Sequence, residues 1–286
     1  MSAPTKKPGG HVTATGLGIP AEPTIFRVVE ERAVDVAFQP IVDLRRKRIF
    51  AYEALARPRA GTFPGPAEMF NEAAKHRLTG ALGRIVRTLA IEHCTAYPLF
   101  LNIHPSELDA HFLVQPDDPI FQHSEDVYLE ITEGVPLTHF ALCKQILREV
   151  RGRGIYLVVD DLGAGYSNLK YIADLYPRIV KIDRELVSGL TKESRLHRLV
   201  SSIVVMCNDL GAMVVAEGIE TPTEYEAVRD AGAEFGQGYL FAKPAFPPPQ
   251  PVWPRTTKSV PRPSTGKSQP PQPLPRSSSL PPRSRR

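Results

Sequence analysis

Four apolar, β-branched runs each end in carboxylates. Ile49–Leu55 carries Glu53, Val127–Thr132 carries Glu130, Ile155–Val159 runs into Asp160 and Asp161, and Met213–Ala216 runs into Glu217. Runs of this composition are buried strands, and an unpaired buried carboxylate is costly unless it takes up a proton. Two like charges about 4 Å apart still repel by about 4 kcal/mol at an effective dielectric of about 20. Five acids that converge therefore need positive charge among them, and divalent cations with oxygen ligands supply it. The plainer alternative is that the acids point apart and each meets its own Arg or Lys. Their shared place at the ends of successive strands argues against it.

Other residues at strand ends extend the set. Asn102 closes the apolar run Leu99–Ile103, where its amide either caps the next segment or offers a neutral oxygen to a hard cation. Lys181 ends a buried run in Val180-Lys181-Ile182-Asp183; it either neutralises a core acid or orients the attacking water, and both roles are compatible. Glu53 and Arg57 share a strand face at i and i+4, as a local salt bridge or as a cation ligand beside a phosphate-gripping guanidinium. Glu133 stands one residue beyond Thr132, placed to hold a neighbouring loop. Glu217 is a ligand or a general base, and Glu220 is expected to cap the helix after Pro222. Gln237, between two glycines, suits a base edge or a bound water. The absence of clustered Cys and His marks this as an oxygen-ligand site rather than a zinc site.

The elements that position these residues alternate. Strands are predicted at 36–44, 49–57, 99–103, 127–132, 155–161, 179–183, 213–217 and 235–241, the first two joined as a hairpin by the charged turn 45–48. Helices are predicted at 67–78, 81–96, 137–152, 196–210 and 223–230. Alternation of strand and helix calls for parallel strands with crossover helices. Eight strands in about 220 residues suit a TIM-like (β/α)8 barrel, here with an antiparallel first strand, and such barrels place their chemistry at the C-terminal ends of the strands.

Charge is segregated. Of the 35 basic residues, eight lie in 245–286, which holds no acid, so residues 1–244 carry 27 basic against 31 acidic groups. The body is mildly acidic and the end of the chain basic, which gives no reason to expect a nucleic-acid polymer as partner. Cys94, Cys143 and Cys207 fit neither a zinc spacing nor a disulfide framework and read as reduced core residues of a cytoplasmic protein. No apolar run is long enough for a membrane span. Residues 1–22 read as a disordered leader, 23–245 as the folded domain and 246–286 as a disordered basic Pro/Ser-rich tail, since 13 of the 29 prolines follow Phe246. The tail is either a solvated extension or the docking segment for a protein or acidic-surface partner. No second globular sensor domain is expected in the flanks.

The motifs in order resemble the EAL domain family of cyclic di-GMP phosphodiesterases. They are Phe38-Gln39-Pro40-Ile41-Val42, Glu53-Ala54-Leu55-x-Arg57, Asn102, Leu129-Glu130-Ile131-Thr132-Glu133, Asp160-Asp161-x-Gly163-x-Gly165-Tyr166-Ser167, Lys181-Ile182-Asp183, Ala216-Glu217-Gly218-Ile219-Glu220-Thr221 and Gln237-Gly238-Tyr239. Leu162 stands where the family usually has Phe, and Ala164 where it usually has Thr. The resemblance implies hydrolysis of cyclic di-GMP to linear pGpG with two Mg²⁺ or Mn²⁺ ions. It implies one ion held by Glu53, Asn102, Glu130 and Asp160, and a second by Asp160, Asp161 and Glu217. It further implies a water positioned by Lys181, Glu217 as general base, and ligand contacts from Gln39, Leu55, Arg57, Asp183 and Gln237. Glu133 and Glu220 would support the site from behind, and a homodimer through the region after Asp161 accords with the family. The alternative is a catalytically silent cyclic di-GMP receptor or an EAL-derived scaffold.

Overall fold

The computed structural model describes residues 24–104, 106–107, 115, 117–132, 148–164 and 169–254. Eight strands close into a barrel in chain order. β1 (Val34–Asp43) turns back into β2 (Arg48–Pro58) as an antiparallel hairpin. β3 (Leu99–Asn102), β4 (Val127–Thr132), β5 (Tyr156–Leu162), β6 (Ile179–Ile182), β7 (Met213–Ala216) and β8 (Phe235–Gly236) follow. From β2 to β8 each strand runs parallel to the next, and β8 closes the barrel antiparallel onto β1. The fold expected from the alternation is therefore the fold observed, including the reversed first strand.

The helices among the described residues include α1 (Thr24–Glu30), α2 (Pro66–Lys75), α3 (Thr79–His93), α4 (Leu169–Leu175), α5 (Arg184–Val187), α6 (Arg195–Asp209) and α7 (Pro222–Asp230). α1 has no counterpart in the sequence reading, where its seven residues lie next to a Gly- and Pro-rich stretch. The predicted helix 137–152 is seen only at 148–152, and the rest lies outside the described residues.

Two apolar layers wrap the outside of the sheet beneath the helices, and a third fills the barrel. The filling residues are Ile41, Ala51, Phe100, Tyr128, Val158, Ile179, Val215 and Phe235, one from each strand. Side chains on a strand alternate faces with period two. Two residues further toward the same mouth, the inward positions become Gln39, Glu53, Asn102, Glu130, Asp160, Lys181, Glu217 and Gln237. On antiparallel β1 the step runs backward, from Ile41 to Gln39. An apolar plug thus lies directly under a polar ring, and water reaches the ring from one side only.

The last strand is shorter than predicted. It ends at Gly236, and the chain then packs its backbone onto the segment after β7, with Ile219 N–H donating to Gln237 O at 3.0 Å. A Cβ on Gly238 would run into the Ile219 backbone, so only glycine permits this approach.

The domain boundary expected after Ala245 also moves. A hairpin between β1 and β2 brings no crossover helix, so the outer faces of Phe38 and Tyr52 need another cover. Residues 245–254 lie across them. Ala245 exchanges backbone hydrogen bonds with Phe38 at 2.8 and 3.0 Å, and Tyr52 Oη donates to Pro249 O at 2.9 Å. Val252 N–H donates to Phe241 O at 2.8 Å, Trp253 packs edge-on against Phe241, and Phe246 packs against His93. The compact body reaches Pro254. Its backbone hydrogen bonds and the packing of Trp253 make this segment a strap rather than a tail.

A buried ion triad ties the chain leaving β3 to α3. Arg87, 1% exposed, donates from Nη1 to Glu107 Oε2 at 2.7 Å and from Nη2 to Asp118 Oδ2 at 2.8 Å. Glu107 Oε1 in turn accepts from His104 N–H at 3.1 Å, two residues beyond Asn102.

Two predictions follow from these contacts. A chain ended after Pro254 should melt like the full chain, whereas one ended after Ala245 should lose about 2 kcal/mol, or roughly 4–8 °C in Tm, from exposed Phe38, Tyr52 and Phe241; equal melting of the two would show that the strap is not bound. Arg87→Met leaves two buried carboxylates without their cation and should cost about 3–5 kcal/mol in urea unfolding; a loss below about 1 kcal/mol would contradict the triad.

Candidate active site

The ring of inward side chains converges on the Lys181 ammonium, which is 1% exposed. Its Nζ lies 2.7 Å from Glu130 Oε1, 2.7 Å from Glu217 Oε1, 3.3 Å from Asp160 Oδ1 and 3.6 Å from Glu53 Oε2. Burial alone would lower the Lys181 pKa, but Asp160, Glu130, Glu217 and Glu53 raise it well above its ordinary value, so the ammonium stays charged.

One cation cannot neutralise so many acids. Burial pushes the Glu130 carboxyl well above the usual range, and the nearby Glu53 charge adds to the rise. Burial likewise raises Glu217 to about 8 despite the pull of Lys181. Glu53 goes the other way. Burial would raise it, but Lys181 and the amides of Gln237 and Asn102 hold it below its ordinary value. Those amides donate to it directly, Gln237 Nε2 to Oε2 at 2.7 Å and Asn102 Nδ2 to Oε1 at 3.0 Å.

Adjacent residues of a regular strand face opposite sides, yet Asp160 and Asp161 both reach this site. The β5–β6 register shifts between Val159 and Leu162, and Asp161 adopts φ +60°. That bulge turns the second carboxylate back to the mouth, and one carboxylate oxygen each from Asp160, Asp161 and Glu217 lie within 4.8 Å of one another. The φ of Asp161 is a strained conformation for a residue with a side chain, held by the surrounding sheet.

The donor set fits a hard divalent cation. It is carboxylate and amide oxygen, with no thiol. Glu130 Oε2 and Gln237 Oε1 are buried and have no hydrogen-bond partner among the described residues, which is the state expected of oxygens that face a cation or a bound ligand.

Beside the ring lies a cavity of about 220 Å³ lined by Gln39, Glu53, Leu55, Asp183, Glu217 and Gln237, with Arg184, Glu220 and Tyr239 at its edge. Of the expected ligand contacts, Arg57 is the one that does not line this cavity. Its Nη1 donates to the Ala56 carbonyl at 2.9 Å. Asp183 does double duty, because its carboxylate also caps α5 by accepting from Glu185 N–H at 2.7 Å.

Glu220 does not cap the helix after Pro222. That role belongs to Thr221, whose Oγ1 accepts from Glu224 N–H, while Glu224 reciprocates by accepting from both Glu220 N–H and Thr221 N–H at 2.9 Å. The Thr221-Pro222-Thr223-Glu224 spacing is the legible signal for this capping box. Glu220 instead faces Arg184 at 3.5 Å. Arg184, which the sequence reading does not single out, follows Asp183 directly, and Tyr239, quoted there only within a motif, lines the same cavity. Glu133 and the segment Gly165-Tyr166-Ser167 lie outside the described residues. Cys94 and Cys207 are free and buried, as expected of core thiols.

A family profile described as EAL domain matches residues 24–244. A relative named cyclic di-GMP phosphodiesterase PA2567, from Pseudomonas aeruginosa, is 30% identical over 231 residues, covering 76% of this chain and 39% of its own. The blue light- and temperature-regulated antirepressor BluF of Escherichia coli is 27% identical over 72% of this chain and 53% of its own. Klebsiella pneumoniae BlrP1, solved as a calcium/cyclic di-GMP complex, is 31% identical with a TM-score of 0.66, over 74% of this chain and 56% of its own. The same protein was also solved as a manganese/cyclic di-GMP complex, at 30% identity with a TM-score of 0.64, over 79% of this chain and 57% of its own. The chain thus spans about two-fifths to just over half the length of these relatives. Among the described residues no helix is long and apolar enough to cross a membrane.

Lys181→Met should lower Tm in EDTA by on the order of 10 °C, because removing one partner of a buried ion cluster costs about 3–5 kcal/mol. An unchanged Tm would show that Glu130 and Glu217 do not depend on Lys181.

Proposed function

The chain belongs to the EAL domain family, and on that premise we propose that it hydrolyses cyclic di-GMP to linear pGpG in a reaction that depends on two divalent cations, Mg²⁺ or Mn²⁺. The observation that carries this reading is the crowding of Glu53, Glu130, Asp160 and Glu217 around one ammonium, with the Asp161 carboxylate beside those of Asp160 and Glu217. Five carboxylates against one Lys181 leave an excess of negative charge that matches two divalent ions.

Glu53, Asn102, Glu130 and Asp160 would hold one ion, and Asp160, Asp161 and Glu217 the other. When bound, the pair supplies a water of lowered pKa and neutralises charge on the attacking and leaving oxygens. The protein's own groups do the rest. Lys181 holds the attacking water and faces charge that develops on the phosphorus oxygens. Glu217, as the ionised carboxylate, accepts a proton from that water. Leu55 and Asp183 line the wall of the cavity against the nucleotide. Gln237 keeps Glu53 oriented and ionised. The apolar plug beneath the ring excludes water from the other side.

The test is incubation with cyclic di-GMP and Mn²⁺, with and without EDTA, followed by chromatography for pGpG. Turnover that EDTA abolishes is expected. Glu53→Gln should remove it by at least about 100-fold while the fold survives, since it deletes one charged ligand. Tight nucleotide binding without pGpG would instead make the chain a receptor, a reading the antirepressor among its relatives brings to mind. Wild-type turnover by Glu53→Gln would sink the cation assignment.

A further inference from the structure

The amides beside Glu53 form a chain whose polarity is set at both ends, by the ionised Glu53 carboxylate and by a backbone carbonyl. Gln237 spends its two N–H groups on Glu53 Oε2 at 2.7 Å and on Gln39 Oε1 at 3.0 Å. Gln39 can present its oxygen to Gln237 only because its own Nε2 donates to the Ala242 carbonyl at 3.1 Å. A backbone carbonyl accepts and never donates. If Gln39 turned over, its oxygen would face the Ala242 oxygen and its NH₂ would face the NH₂ of Gln237. Ala242 O therefore fixes Gln39, Gln39 and the Glu53 carboxylate hold the Gln237 NH₂ between them, and Gln237 in turn holds the carboxylate plane of Glu53.

The strap holds this reference carbonyl in place. Val252 N–H bonds the carbonyl of Phe241, the residue before Ala242. Ala245 pairs with Phe38, the residue before Gln39. Pro249 O accepts from Tyr52, the residue before Glu53. On a strand, neighbours face opposite sides, so the strap grips Phe38 and Tyr52 on the outside while Gln39 and Glu53 face the site. Gln39 and Gln237 are 8% and 3% exposed, so each amide is held mainly by its protein partners.

We propose that Gln39 is a positioning residue, held by the strap 245–254 through Ala242, that aims the Gln237 amide at Glu53 and so shapes the cation site. The inference rests on the two-cation reading above. It turns a residue expected to touch the nucleotide into one that acts through Gln237, and it makes the proline strap a determinant of cation affinity.

The experiment is calorimetric titration of Mn²⁺ into full-length protein without nucleotide, beside kcat and KM for pGpG formation. Gln39→Leu should weaken Mn²⁺ binding by about tenfold or more, the usual effect of removing a partner behind a ligand, and should lower kcat while KM stays within about twofold. Trp253→Ala, which loosens the strap far from the mouth, should shift Mn²⁺ affinity the same way by about threefold. It carries the test if Gln39→Leu does not fold. Wild-type Mn²⁺ affinity in folded Gln39→Leu, or in Trp253→Ala, overturns the proposal. So does a raised KM with kcat and Mn²⁺ affinity unchanged, which would make Gln39 a nucleotide contact. Wild-type protein that binds no Mn²⁺ sinks the cation reading, and this proposal with it.

Discussion

Crowded like charge around the buried ammonium of Lys181 is the constraint on which the rest of the barrel mouth depends. Four carboxylates stand within 2.7–3.6 Å of Nζ. In water such a cluster would fly apart, and in the low dielectric above an apolar plug its repulsion is stronger still. The closed sheet supplies the rigidity that holds it. Each acid comes from a different strand or the residue just past it, and each strand is pinned by its neighbours, so the backbones that carry the acids cannot move apart without breaking the ladder. Lys181 removes part of the charge. Raised pKa values at Glu130 and Glu217 remove more by keeping protons in place. A cation would do the same work without the protons.

The antiparallel first strand has consequences beyond topology. A hairpin places Gln39 opposite Glu53 in register, which a parallel first strand with a crossover helix would not do so directly. It also leaves the outer face of both strands uncovered, and the strap fills that place. Fold closure and site geometry thus share residues. The same two strands carry Phe38 and Tyr52 outward and Gln39 and Glu53 inward.

Much of this was legible in the residues. The run Val127–Thr132 is a strand with the bounds expected, because its β-branched composition and flanking turns leave no alternative. The convergence of Glu53, Glu130, Asp160, Lys181 and Glu217 follows from strand-end placement in a barrel. What escaped the reading needed three-dimensional partners. Asp161 was expected at the mouth, but the bulge and positive φ that bring it there are announced by no local preference of Asp-Asp. Arg87 finds Glu107 and Asp118 some 20 and 31 residues away. Composition alone marked 246–254 as tail, since the prolines outvoted Trp253, and the backbone bonds of Ala245, Pro249 and Val252 that fasten the strap depend on partners distant in sequence. Arg57 shares the face of Glu53 as period two requires, but lies one step too far along the strand to line the cavity.

The central claim is that the acid ring exists to hold two cations around which the protein's own groups are arranged. Anomalous diffraction from crystals grown with Mn²⁺ and cyclic di-GMP tests it most directly. The account predicts two manganese peaks in the ring, one against Glu53, Asn102, Glu130 and Asp160 and one against Asp160, Asp161 and Glu217. A nucleotide bound with no manganese peak, and Lys181 still bridging the same carboxylates, would contradict it.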